Sequence, residues 1–515
     1  MLRYALRRVL WSIPTLLATS LFLFLVTTLA PDPVVPSVSD MPDAQREHLE
    51  EMRRTQFFDL PRFVNGDPKD VRWYAGRALA RLAASGLNDH DEGARMLRRL
   101  GGAALPYVVP LLDSLGPDAR GRAAMALGPV ADRMGLPDRD RLAQPETAAL
   151  FWTRFWDDRA LDFARTAVDR AVARLVEHGS DQRESDLIAL DTFALPELVR
   201  AIAVVDDRMA LERLTRIARH ASERGPIIGV DEPASEVRHD VADWQEWWFV
   251  HGTDFMPLDG ADRMIAVVTE TRYGKWLRRA ASGELGLSAI DGAPIADKLR
   301  ARAPITFLVC ILAMALSWAI AIPIGALGAW RQGRAFDVVS SAVMFVLYAT
   351  PTFAVAELLR RMTSAHGVGG ARVMLAVAAL SAGSLATCSR WQRSAMLDVV
   401  RQDYVRTAHA KGMRGVRVMV VHALRNALMP SITLAGLHLP ALLGGAFVVE
   451  EVFGLPGMGY ETLRAIEAHD AAWLMAVILV AAVAITLGLV ASDVACSALD
   501  PRVREVLSRR QGGDL

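Results

Sequence analysis

Residues 404–430 read YVRTAHAKGMRGVRVMVVHALRNALMP, between two apolar segments. From 390 to 425 the basic residues are Arg390, Arg393, Arg401, Arg406, Lys411, Arg414, Arg417 and Arg425, opposed only by Asp398 and Asp403. Membrane-length apolar flanks with dense Lys/Arg between them predict a cytoplasmic loop, because basic loops are retained on the inner side. Ala408 and Ala410 are small, and Gly412 interrupts a helical run that resumes over 416–428. The pattern predicts two short helices with a bend at Gly412, since glycine tolerates the backbone angles of a sharp turn. Small residues before the bend let a partner surface approach closely.

The totals agree with a membrane segment joined to something soluble. The chain has 515 residues, 52% hydrophobic and 23% charged, with a positive mean hydropathy. That mixture suits neither a soluble enzyme nor a bare membrane bundle. Formal net charge is zero, so no global basic field points to nucleic acid. Cys310, Cys388 and Cys496 all fall in apolar segments and read as small hydrophobes, with no disulfide framework or zinc spacing.

Arg406 to Gly412 reads R-T-A-x-A-K-G, and His422 to Pro430 reads H-A-L-R-N-A-L-x-P. This pair resembles the cytoplasmic loop of the inner-membrane permeases of ATP-binding-cassette importers, most closely the dipeptide/oligopeptide/nickel class. The resemblance implies a coupling helix that docks into a groove on an ATPase subunit. On the matching positions it assigns that contact to Tyr404, Arg406, Thr407, Ala408, Lys411 and Gly412. The wider superfamily often opens this motif with an acid and an alanine, where Arg406 and Thr407 stand here, a departure usual in the peptide class. Charge alone also fits a basic juxtamembrane loop with no partner; the joint spacing of Ala408, Gly412, Asn426 and Pro430 tells against it.

The N-terminus carries Arg3, Arg7 and Arg8 before an apolar run over 9–29. A run of about 20 residues spans a hydrocarbon core, and a cleavable signal peptide has a shorter one. A retained first span with a cytoplasmic N-terminus is therefore expected, ending at the APDP turn of residues 30–33. Its sequence also resembles the first span of the permease class. Residues 36–265 are polar and helical in pattern, and they are expected outside the membrane as an insertion larger than the class usually carries. Within it, residues 104–131 and 194–221 both open with Ala-Leu-Pro, ninety residues apart. That is about two periods of a ~40–47-residue helix pair and resembles HEAT-like repeats. Residues 70–83 read as a further second helix. Trp152, Trp156, Trp244, Trp247 and Trp248 suit either an interface or packing inside a helical repeat. Asp231, Glu232, Glu236, His239 and Asp240 match no metal-site spacing and read as a solvated loop.

Residues 266–303 are expected as an external lead-in, with Tyr273, Trp276, Gly283, Leu285, Gly286, Ser288, Pro294 and Leu299 placed as in peptide permeases. A five-span core over 304–505 follows, including the cytoplasmic loop 390–425, and then a tail over 506–515. Spans are expected at about 305–329, 338–359 with a YATPTF kink, 373–388, 427–449 and 472–494. The connection holding Arg360, Arg361 and Arg372 is then external, against the usual charge bias, but outweighed by the basic loop. His438 inside a span is a pathway candidate, or an imidazole satisfied by a backbone carbonyl. Residues 450–466 resemble the external loop that folds back on the pathway in this class, which assigns Glu450, Phe453, Pro456, Gly457 and Gly459 to it, and the glycines suit a tight turn. Residues 498–504, ALDPRVR, resemble the class's cytoplasmic terminus.

No G-x-x-x-x-G-K-[ST] loop, H-E-x-x-H or G-x-S-x-G occurs, so no cofactor or catalytic site is expected. Glu357 and Glu461 read either as substrate contacts or as partners of nearby arginines. The expected fold is all-α: a six-span permease bundle with a large external helical insertion between the first two spans. The expected setting is a bacterial inner membrane with both termini cytoplasmic. The resemblance implies as partners a second homologous permease, two ATP-binding-cassette ATPase subunits and an external solute-binding protein, with the lipid bilayer around them and no nucleic acid. The rival reading is a membrane-anchored scaffold or receptor whose external domain binds a partner.

Overall fold

Val309, Ala313, Ser317, Ala321, Gly325 and Ala329 recur at every fourth position and are all buried. On a helix that spacing makes one stripe, and small residues along it let a neighbouring backbone close in. The computed structural model, which describes residues 2–27, 51, 53–55, 57–136, 139–362 and 369–499, bears this geometry. A Cβ at Gly325 would lie 2.6 Å from the Ser389 carbonyl oxygen and 2.9 Å from the Arg393 nitrogen. Ser317 Oγ donates to the Ser381 carbonyl at 3.2 Å across the same seam.

The chain divides into two bodies, residues 1–35 with 277–515, and residues 36–276. In the first, the main helices are α1 (Leu2–Thr27), α2 (Ile295–Trp330), α3 (Ala335–Ala349), α4 (Thr352–Met362), α5 (Gly369–Val400), α6 (Asp403–Ala410), α7 (Arg425–Phe453), α8 (Met458–Glu467) and α9 (Ala471–Leu499). Ile295–Trp330, Gly370–Val400, Leu434–Phe453 and Ala471–Ser492 are each long and apolar enough to cross a membrane. The bent pair α3 and α4 makes a fifth if it is one span, and Leu10–Val26 within α1 is a shorter apolar helix. Among the described residues there is no strand, only an isolated antiparallel bridge between Leu287 and Pro294.

Three local expectations differ from this body. The YATPTF kink is a 97° break between α3 and α4, because Thr350 takes an extended conformation ahead of Pro351. The span expected at 373–388 belongs to a helix of 32 residues, so the first part of the expected loop 390–425 is still α5. The second short helix expected over 416–428 is instead continuous with α7. No glycine or proline stands between 416 and 429, the backbone stays helical through Leu424 and Arg425, and a π-helical segment, Val418–Leu424, joins the two parts. The APDP turn, residues 500–504 of the expected terminus and the tail 506–515 lie outside the described residues. Cys310 and Cys388 are buried free thiols; the Cys496 side chain lies outside them.

Residues 36–276 form a helical body around their own apolar core. Two of its helices start at side-chain caps: Asp70 accepts from the Trp73 amide at 3.0 Å, and Asp207 from the Ala210 amide at 2.9 Å. The two Ala-Leu-Pro segments meet directly, through the turns Gly101–Ala104 and Asp191–Ala194. The Asp191 carboxylate accepts from the Gly102 amide at 2.9 Å and from Arg133 at 3.0 and 3.1 Å. A Cβ at Gly102 would collide with the Leu190 carbonyl, so the contact needs glycine there. Trp152 and Trp244 are fully buried and donate to the Ala124 and Pro226 carbonyls at 3.1 and 2.9 Å. Trp156, Trp247 and Trp248 pack on the same core, so the tryptophans serve packing. No group of metal-ligating side chains, the set around Asp231 and His239 included, is assembled among the described residues.

Candidate functional site

Two buried side chains fix α6 against the bundle. Val405 and Ala408 join a cluster with Ala326, Ala329, Met396 and Val418, and the His409 ring stacks on Trp330 at 5.6 Å between centroids. The opposite face of α6 is open: Tyr404, Arg406, Thr407 and Lys411 are exposed. Among the described residues the carboxylate paired with Arg406 is the exposed Asp403, at 3.9 Å.

The end of α6 explains Gly412. Its φ is +77°, the left-handed region, and nothing lies within 4 Å of where a Cβ would stand. The Gly412 amide donates to the His409 carbonyl at 2.9 Å and the Met413 amide to the Ala408 carbonyl at 3.4 Å. That pair of bonds is a Schellman cap, with Met413 and Ala408 supplying the apolar contact that accompanies it. The glycine is demanded by its backbone angle, and crowding plays no part. Beyond it an open groove runs along Lys411, Arg414, Val416, Arg417, Val420 and Val421.

The sequence missed an ion pair behind this surface. Arg393, counted as a loop charge, lies on α5 and grips Asp337 of α3 with two bonds of 2.7 and 2.9 Å. Asp337 also accepts from the Gly333 amide at 2.9 Å. Their separation of 56 residues left no local signal for the pair. A second buried link joins Gln392 to Ser431 at 2.7 Å, from α5 to α7.

At the other end of α7 the turn after Phe453 is built around Glu450. Glu450 is fully buried, and one carboxylate oxygen accepts from the amides of Gly459 and Tyr460 at 2.7 and 3.2 Å. The first amides of α8 have no carbonyl partner within their own helix, and the Glu450 side chain supplies the acceptor. Gly454 has φ +60° and takes the left-handed cap of α7. Gly457 and Gly459 answer to space, as a Cβ would strike the Glu450 carboxylate at one and Phe447 at the other. Phe453 is buried, and Pro456 offers its carbonyl to Arg302 at 3.4 Å.

Glu461 pairs with Lys298 at 2.7 Å, and Glu357 with Arg360 and Arg361, each at 2.7 Å. Lys298 also reaches Asp291 at 3.1 Å. The Ala293 amide, followed by the Lys298 ammonium, holds the Asp291 carboxyl below its ordinary value. Ser288 of the lead-in donates to Asp470 at 2.6 Å. His438 is buried against the Cys388 thiol at 3.9 Å and the Trp391 ring at 5.6 Å, so its neighbours are side chains.

Residues 321–505 match the family model described as binding-protein-dependent transport system inner membrane component. The chain is similar to an oligopeptide transport system permease protein of Bacillus subtilis, 33% identical over 251 residues, covering 45% of this chain and 79% of that one. Against an oligopeptide transport system permease protein of Mycobacterium bovis it is 34% identical over 272 residues, covering 48% and 82%. A dipeptide transport system permease protein of Escherichia coli is 30% identical over 261 residues, with 43% and 77% covered. The chain therefore belongs to the family of binding-protein-dependent inner-membrane transport components, on the branch of the oligopeptide and dipeptide permeases.

Proposed function

We propose that the chain is a permease subunit of an ATP-driven, binding-protein-dependent importer of di- or oligopeptides. It forms half of the translocation pathway beside a second homologous permease. Two ATPase subunits power the pair, and an external solute-binding protein delivers substrate. In this reading α1, α2, the bent pair α3 and α4, α5, α7 and α9 are six spans. Both termini are then cytoplasmic and the 36–276 body external.

The observation that carries the reading is the two-faced build of α6. One face is anchored by Val405 and Ala408 on the bundle, and the other presents Tyr404, Arg406, Thr407 and Lys411. A short capped helix held this way moves as one piece with α5 and α7. Closure of ATPase subunits against it then biases one packing of the spans over another. The turn with Glu450, Phe453, Pro456, Gly457 and Gly459 lies at the far end of α7, where it would border the pathway, with His438 deeper along the same helix.

The test is reconstitution of the full importer in vesicles with labelled tri-alanine. Arg406→Glu with Lys411→Glu changes only exposed charge. The double variant is expected to insert normally, to lose co-purifying ATPase and to abolish uptake. Normal uptake by it defeats the coupling role, and an importer-free preparation that recovers only external partners supports the scaffold reading.

A further inference from the structure

Within the 36–276 body a cavity of about 70 Å³ lies among Arg54, Asp59, Lys69, Tyr74, Asp254 and Glu270. Its charges are unevenly paired. Asp254, buried at the floor, already receives Arg54 at 2.9 Å and Arg99 at 3.2 Å. Glu270 is taken by Lys275 at 2.9 Å. Asp59 has Arg54 at 3.9 Å as its cation, and that guanidinium is committed more closely to Asp254. Lys69 sets its ammonium over the Trp73 ring at 4.8 Å and has no carboxylate in ion-pair range among the described residues. One carboxylate and one ammonium are thus left with bonding capacity, and both residues are exposed.

The cavity's size and charge restrict what fits. A water needs roughly 10–15 Å³ of such space, so the cavity holds on the order of five non-hydrogen atoms. An apolar guest would strand the lining charges without partners. A simple anion meets Asp59 and Glu270, and a simple cation meets Arg54 and Lys69. A molecule carrying both signs satisfies both.

We propose that this cavity binds a small zwitterionic amino acid of glycine or alanine size, with its ammonium on Asp59 and its carboxylate on Lys69. The site is built wholly from the 36–276 body, so its fate is independent of the transport reading.

Calorimetric titration of the full chain in lipid nanodiscs with glycine and with alanine tests this. Saturable binding at one site per chain is expected, with none for glycolate or ethylamine, which lack one of the two charges. Asp59→Asn and Lys69→Gln are each expected to weaken binding roughly tenfold or more, as loss of a charge-assisted bond does. Asp240→Asn, elsewhere on the body, is expected to leave it unchanged. Unaltered thermal unfolding of the variants shows that their folds are intact. Absence of saturable glycine and alanine binding, or equal affinity in the Asp59 and Lys69 variants, overturns the proposal.

Discussion

Asn426 Nδ2 donates to the Tyr404 hydroxyl at 2.8 Å, joining the first residue of α6 after its Asp403 start to the first turn of α7. This bond closes the two halves of the motif into one unit, with α6 packed through Val405 and Ala408 and α7 continuing the helix past the π segment. The pair is solvent-exposed, so its net contribution to stability is about 0.5–1.5 kcal/mol. Tyr404→Phe is expected to leave the protein folded and to loosen α6, read as faster amide exchange over 403–410 with little change over α7. Unchanged exchange in that segment counts against the strut.

At Gly412 a requirement for backbone angle can be told from a requirement for small size. Its φ of +77° strains any residue with a Cβ, while the space around it is empty. Gly412→Ala is expected to cost about 1–2 kcal/mol. Gly412→Asn is expected to cost less, because asparagine enters the left-handed region more readily. Thermal unfolding of the two variants measures the order. Equal losses, or a worse loss for asparagine, place the requirement on size.

What was legible in the sequence follows from range. The α6 helix, its glycine cap and the turn after Phe453 are set by neighbours a few residues apart, and the letters 403–413 and 450–459 display them. The continuity of 415–453 was hidden because the basic, polar stretch up to Arg425 and the apolar stretch after it read as a loop helix and a span, yet the backbone stays helical through their junction. The 97° break at Pro351 reads from sequence only as a kink, since a proline states where a helix bends and not by how much. Glycines 457 and 459 looked like turn residues; only the folded chain reveals Glu450 and Phe447 against them. The Asp337–Arg393 pair had no signal at all, because ion pairs across helices have no fixed spacing.

That pair ties α3 to α5 next to the cluster on which α6 rests. Asp337 is buried and Arg393 about one-third exposed, so losing one partner is expected to cost about 1–3 kcal/mol. Asp337→Asn and Arg393→Gln should each lower the unfolding temperature in detergent. The double variant should lose less than the sum, since neither charge is then left alone. Strict additivity in this double-mutant cycle means the pair contributes no coupling energy.

Stability of the 36–276 body should carry a pH signature from Glu51. Its carboxyl is held down at about 2, against an ordinary 4.5, first by the hydrogen bond to His251 and then by that ring's charge with Arg224 and Arg54. His251 Nε2 lies 3.3 Å away, and its ring stacks on Trp247 at 5.2 Å. A carboxyl with a depressed folded-state value stabilises fully above its unfolded value, and the contribution is lost as pH falls through the folded one. The gain is therefore complete above about pH 4.5 and disappears toward pH 2. Other acids titrate in the same window, so the informative quantity is the difference between the protein and its Glu51→Gln variant. Denaturant unfolding followed by tryptophan fluorescence is expected to give a gap at pH 6 that narrows steadily to near zero at about pH 2. A gap independent of pH would mean that Glu51 acts through packing, with its charge contributing nothing.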